Sequence, residues 1–223
     1  MLADFLKKYH KRMTAIGLAA WFLGVALLCG VVLQKEKILL QKSFYFLVSS
    51  STHIQASTQF VEWSGGAGYL LEYSGCEQAT FAVYLSEGDG LQVQAVLTEQ
   101  DTKLVCMSVD CIYLYKKSDK QNRKSIQGAF QTLYNCCEVL EQIIDRFAKG
   151  GTQESGKRLL NTLQKQLSFL GEEYAKNFPQ YADVCMKAAE RISQLEEASV
   201  YLKDLRYLLC ELCVSYVRLA NSF

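Results

Sequence analysis

The chain has a single proline, Pro179, in 223 residues. Collagen-like, polyproline and proline-rich linker architectures are thereby excluded. Histidine is nearly as scarce: His10 and His53 are the only two, which leaves little material for His-based catalysis or a zinc centre. Neither sign of charge predominates. Lys and Arg number 24 against 23 Asp and Glu, a formal charge of +1. With no concentrated basic patch after the first dozen residues, a strongly basic nucleic-acid binder is excluded. Half the residues are apolar and 21% are charged, so the chain is not a disordered tail, and its length suits one or two domains.

What the sequence does have, first, is one long run without charge. Met13 to Leu33, MTAIGLAAWFLGVALLCGVVL, contains a single hydroxyl, Thr14. As a helix rising about 1.5 Å per residue it would span roughly 30 Å, the hydrocarbon thickness of a bilayer. A cleavable signal peptide would have a shorter apolar stretch and a small-residue cleavage site, and no good site lies near Leu28-Cys29-Gly30. A lipoprotein site at Cys29 would want a small residue where Leu28 stands. A buried core helix of this length would need apolar cover on every side, which a chain of this size hardly offers. The expectation is a transmembrane helix over 13–33, embedded in the lipid bilayer, after a short segment 1–12. Lys7, Lys8, Lys11 and Arg12 precede the run, whereas Lys35 and Lys37 flank Glu36 after it. The positive-inside rule then predicts a single-pass protein of the cell membrane, N-terminus cytoplasmic and remainder extracytoplasmic.

Past a juxtamembrane stretch, 34–41, the pattern changes to strands and short helices. Phe44-Tyr45-Phe46-Leu47-Val48 is aromatic and β-branched, bounded by serines, and reads as a strand. His53 to Trp63 has the spacing of a short amphipathic helix, ended by Gly65-Gly66-Ala67-Gly68. Tyr69 to Tyr73 and Gln78 to Leu85 read as a hairpin turned at Ser74-Gly75. A second helix runs from about Gly90 to Glu99. Lys103 to Val109 is a fourth strand, with Cys111 to Tyr115 a fifth or its continuation. The order is β-α-β-β-α-β, a ferredoxin-like arrangement with a four-stranded antiparallel sheet, both helices on one face and the other face open.

The segment from Lys42 to about Tyr115 resembles a SPOR (sporulation-related repeat) domain. FYFLVSSSTHIQAS, Phe44 to Ser57, is similar to that family's opening aromatic strand, turn and alanine-bearing helix. GGAGYLL, Gly65 to Leu71, resembles the glycine-plus-strand entry to the second half, and TFAVYLSEGDG, Thr80 to Gly90, its third strand. The family usually has a glutamine on the open face of its first strand and a glycine at the strand end; Leu47 and Ser49 stand there. The resemblance implies binding of peptidoglycan glycan strands on the open sheet face, at sites of division or sporulation. Strict alternation along the strands would expose Tyr45 and Leu47 together with Gln78 and Thr80, a platform on which tyrosine could stack against sugar rings. Alternatively, Tyr45 and Leu47 are covered by the C-terminal helices.

From about Asp119 the chain turns helical. Ile126, Phe130, Leu133, Cys137, Leu140, Ile144 and Phe147 form one apolar stripe. Leu159, Leu160, Leu163, Leu167, Leu170 and Tyr174 form a second, stopped before Pro179. A third helix begins after Pro179 and continues, or bends near Ser199, towards Val217. Residues 118–223 are thus expected as a three-helix antiparallel bundle beside a 42–117 α+β domain, either self-contained or offering its stripes to a protein partner or to a second copy.

Nine cysteines is a high count. Cys137 and Cys185 fall on apolar stripes, where cysteine behaves as a small hydrophobe. Cys210-Glu-Leu-Cys213 has C-x-x-C spacing but lies late in an apolar helix, not at the strand-to-helix turn of a redox motif. Joined with Cys106 and Cys111 it would make a four-thiolate zinc site, against which free core thiols are the plainer reading. No motif flanks His53 or Cys76 as a nucleophile pair, and the glycine cluster at 65–68 lacks the Gly-Lys-Ser/Thr of a phosphate loop. No catalytic residue, metal or cofactor is expected. The chain reads as a non-enzymatic envelope protein that binds glycan, or as a scaffold or assembly protein acting through its C-terminal helices.

Overall fold

In the computed structural model the described residues are 36–51, 54–97, 101–114, 120–150, 153–197 and 202–223. They form β1 (Glu36–Ser49), α1 (Ile54–Trp63), β2 (Tyr69–Tyr73), β3 (Cys76–Tyr84), α2 (Glu87–Val96) and β4 (Thr102–Leu114). Four helices follow: α3 (Lys120–Ala148), α4 (Gln153–Tyr174), α5 (Pro179–Glu197) and α6 (Leu202–Asn221). The strands make one antiparallel sheet in the order β2-β3-β1-β4. The β2–β3 turn is the two-residue kind in which both central residues take positive φ, Ser74 at 53° and Gly75 at 76°. β1 and β4 pair along their whole length, whereas β1 meets β3 only from Tyr45 to Val48. The first half of the β1–β4 ribbon therefore extends beyond the other two strands.

Two irregularities set which side chain points where. On β1 an extra residue falls between Leu39 and Lys42, with Gln41 at φ 50°. On β3, Leu47 pairs with Ala82 and Val48 with Thr80, so Phe81 is the extra residue of a bulge. Beyond that bulge the alternation on β3 is shifted by one.

Both faces of the sheet are covered. On one, Leu47, Ala79 and Phe81 pack with Val61 of α1, and with Val93 and Leu97 at α2. On the other, Phe44, Phe46, Val48, Val83 and Val105 belong to the same continuous core as the four C-terminal helices. The aromatic contacts make this concrete. The ring of Phe44 lies 5.3 Å from Tyr216 of α6 and 5.9 Å from Tyr134 of α3, and Phe130 lies 5.2 Å from Tyr216. α6 is the central helix: eleven of its residues are buried, because it touches the sheet on one side and helices on the others. Tyr181 of α5 donates its hydroxyl to the Ala129 carbonyl of α3 at 2.9 Å, closing the bundle.

Several expectations need correction. The C-terminal region holds four helices, because the chain that leaves α5 resumes at Leu202 as α6 and packs on α3 and the sheet, while α5 pairs with α4. The sheet face expected to be open is occupied by this bundle, so a ferredoxin-like module with a free face beside a separate three-helix bundle does not describe the molecule. β1 already begins at Glu36, inside the stretch expected to be juxtamembrane. The proposed anchor, 13–33, and the basic segment before it lie outside the described residues. Among the described residues no helix is long and apolar enough to cross a membrane. The single-pass membrane location with external domains is corrected on that finding.

Candidate interaction surface

The four residues expected to form a glycan platform do not share a surface. Leu47 is 0% exposed, sealed between the sheet and α1. Tyr45, two residues earlier, points to that same side and is half-buried. Thr80, also 0% exposed, faces the opposite way. Its neighbours across the ladders are Val48 and Tyr69, and the Tyr69 ring lies 5.2 Å from Tyr207 of α6. Gln78 pairs with Leu71 of the bundle-side core, and its buried Oε1 has no partner among the described residues. The Phe81 bulge is the cause: unbroken alternation would have put all four on one side.

Among the described cysteines, Cys136, Cys137, Cys185, Cys210 and Cys213 are buried free thiols within the bundle, Cys76 and Cys106 are exposed, and Cys111 on β4 is half-buried. Burial raises Cys136 and Cys185 each to about 12, with Tyr181 hydrogen-bonded to Cys185. Burial also pushes Cys210 and Cys213 up, and Cys213 shares a hydrogen bond with Cys137. Held protonated, these groups act as small apolar side chains. Cys106 lies exposed on β4 while Cys210 and Cys213 are interior, so the four-thiolate arrangement is not assembled. Among the described residues no group of His, Cys, Asp or Glu is placed to hold a metal ion. Cys76 lies at the exposed start of β3, and His53 lies outside the described residues.

Among the surfaces that the fold leaves uncovered is the outer side of α1. Val61 and Ser57 of α1 turn to the sheet, which leaves Phe60 44% and Trp63 84% exposed. The helix is held close by its exit loop. A Cβ on Gly66 would come within 2.6 Å of Val61 Cγ1 and 3.0 Å of Phe81 Cα. The loop then joins the ladder, with Ala67 N–H donating to the Phe81 carbonyl at 2.8 Å and Gly68 N–H to the Thr80 carbonyl at 3.0 Å. Arg206 of α6 donates to the Gly65 carbonyl from the bundle side. The result is a rigid mount for an exposed tryptophan.

Beneath Phe60 lies a cleft of about 320 Å³. Phe60 and Phe81, edge to face with centroids 6.3 Å apart, line it with Ala56, and Ser49, Ser51, Ser57 and Asp101 form its polar wall. Leu70 on the edge strand pairs with Ala79, which packs on Val61, so Leu70 shares the α1 side and is 41% exposed. Two residues on, Glu72 pairs directly with Glu77, both exposed. Glu62 of α1 lies against Gly68, where an added Cβ would meet its Cγ at 2.6 Å. The local sequence is one-sided in charge, and the cation placed beside it, Arg206, comes from α6. From Ser43 to Thr102 the sequence has no Lys or Arg, against Glu62, Glu72, Glu77, Glu87, Asp89, Glu99 and Asp101. The basic residues that bring the whole chain to +1 all lie on either side of this stretch. That gap in the basic residues was readable from the sequence and is the signal that marks this surface.

Comparison with protein-family models, with curated proteins and with solved structures finds no match for this chain. The resemblance to SPOR domains therefore rests on the motifs quoted above.

Proposed function

We propose that this chain is a non-enzymatic interaction protein that docks a partner on the α1 side of its sheet, with the C-terminal bundle as its structural support. The single observation that carries this reading is Trp63, 84% exposed on a helix that buries only Ser57 and Val61, one turn from the Phe60 that lines an aromatic cleft. An isolated exposed leucine needs no explanation, but an exposed tryptophan one helical turn from an exposed Phe60 has the composition of an interface centre. The bundle suits support because its apolar stripes are spent on the sheet and on one another. Glycan binding would need Tyr45, Leu47, Gln78 and Thr80 on one accessible surface, an arrangement that the bulge and the bundle both oppose.

A second reading, assembly through the C-terminal helices, is favoured by Phe169 and Met186, 62% and 45% exposed on the α4–α5 pair. Site-specific photocrosslinking in cells that make the protein natively distinguishes the two. A photoreactive phenylalanine analogue is placed at position 63 or at position 169. Discrete heterologous adducts from position 63 support docking on α1; adducts from position 169 alone would replace it with the helical reading.

A further inference from the structure

We propose that two copies of this chain associate by pairing their β4 strands antiparallel about a two-fold axis at Cys106, which joins the two sheets into one. This goes beyond the docking reading above and does not depend on it.

The two edges of the sheet are built differently. β2, at one edge, has five residues and includes Glu72. β4, at the other, has 13. From Lys42–Val109 to Ser49–Thr102 the β1–β4 ladder runs through eight consecutive pairs without a shift, and the extra residue further along falls on β1, not on β4. The middle of β4, Leu104 to Val109, reads LVCMSV, with no charge and no proline. Short length, charge, proline and bulges are what keep an edge strand from pairing, and this stretch has none of them. Gln94 of α2 donates to the Thr102 carbonyl at 3.0 Å, at the start of the strand. Among the described residues no other hydrogen bond reaches the Leu104–Asp110 backbone from outside the β1–β4 ladder.

The strand also complements itself, as a two-fold interface requires. Residues opposite each other in an antiparallel ladder share a face, and a two-fold axis perpendicular to the sheet keeps every residue on the face it has. Only registers that set one residue against its own copy are therefore open. With Cys106 on the axis, Thr102 to Asp110 pair, four residues on either side. Lys103 then faces the partner's Val109, Leu104 the partner's Ser108, and Val105 the partner's Met107. Thr102 meets the partner's Asp110, a hydroxyl donor opposite a carboxylate, and no like charges are opposed. An axis at Met107 would set Asp110 against the partner's Leu104, and one at Val105 would leave Asp110 outside the pairing. A second copy always brings this matching stretch, whereas LVCMSV offers a foreign strand no charge by which to be selected.

Cys106 makes the register testable, because it is exposed and would stand opposite its own copy. Directly opposed residues have Cα atoms about 4.5–5.5 Å apart, within reach of a disulfide. The test uses the full chain. Oxidation by diamide, which takes up the two thiol hydrogens as the S–S bond forms, should give a covalent dimer whose linked peptides are both those of Cys106. Cys106→Ser should lose that product yet sediment as a dimer like the native chain. Cys106→Lys and Cys106→Glu should each weaken the sedimenting dimer about threefold to tenfold, since like charges then meet on the axis, and an equimolar mixture of the two should recover it. Circular dichroism of the variants establishes that they remain folded. A chain that sediments as a monomer at every concentration overturns the inference, as does a dimer that neither charged variant weakens. A Cys106–Cys111 link in place of Cys106–Cys106, or charged variants that fail to recover on mixing, overturns the two-fold register. A monomer that dimerises only when residues 1–35 are deleted overturns it in favour of the chain's own N-terminal segment. Each of these failures leaves crosslinking from position 63 unaffected.

Discussion

Thr80 is a buried hydroxyl in the wrong place, and replacing it should stabilise the protein. Its side chain is 0% exposed, set between Val48 and Tyr69 on the sheet face that meets the bundle, and its Oγ1 has no hydrogen-bond partner among the described residues. Its backbone is well used, since the carbonyl accepts from Gly68 N–H. A hydroxyl desolvated without a partner costs roughly 1–3 kcal/mol relative to an apolar group of the same shape. Thr80→Val exchanges the hydroxyl for a methyl with almost no change of volume, so the gain expected is about 1 kcal/mol or somewhat more. In a chain of this size that corresponds to about 2–4 °C in Tm. Valine also suits strands better than threonine on some scales, so a second site separates the causes. Tyr216, 0% exposed on α6, likewise has a hydroxyl without a partner. Tyr216→Phe removes that hydroxyl within a helix, where strand propensity plays no part. The assay is urea denaturation of each variant, reading the midpoint and requiring an unchanged m value. Both midpoints should rise. A fall in both would show that these hydroxyls are paired in solution, by water or by a repositioned side chain, and would refute the reasoning.

Gly66→Ala should destabilise by about 1–3 kcal/mol, because the new Cβ meets Val61 O at 2.9 Å and Phe81 Cα at 3.0 Å, backbone atoms that cannot yield as a flexible side chain would. Gly128→Ala, exposed on α3 with nothing within 4 Å of the added atom, should instead stabilise by up to about 1 kcal/mol; urea titration of the two checks both signs. Glu141 of α3 accepts a hydrogen bond from Leu85 N–H at 2.9 Å, yet burial raises its pKa above the ordinary 4.5. A folded state that holds the proton more tightly than the unfolded chain loses stability as pH rises from 4.5 through the raised value. Glu141→Gln keeps the acceptor and removes that loss, so its advantage over the native chain should be present at pH 7 and vanish below pH 4.5, measured as urea midpoints across that range.

The parts of the fold that were legible in the residues are those fixed by neighbours along the chain. Ser74-Gly75 is a two-residue turn because the positive φ it needs is tolerated there, and the hairpin followed. The apolar stripes of α3 and α4 have helical spacing, and Pro179 begins α5 where the preceding helix had to stop. One further signal was present and misread. Phe44 to Val48 is an unbroken apolar run, which suits a strand buried on both faces better than one with an open side. The candidate surface was half legible. The basic gap from 43 to 102 lies in the sequence, but the exposure of Trp63 depends on which face of α1 meets the sheet.

From its sequence alone this protein is a mixed α/β chain with an aromatic opening strand, a glycine-bounded short helix, a tight hairpin and a long helical second half, because period and turn chemistry are local properties. Only the tertiary structure decided that the second half lies on the sheet and that Phe81 bulges. It thereby put Leu47 and Thr80 on opposite sides, both sealed. Burial of a strand face is settled by what packs against it, and a bulge at a non-glycine residue comes from how neighbouring strands register, so neither leaves a mark on the residues that undergo it.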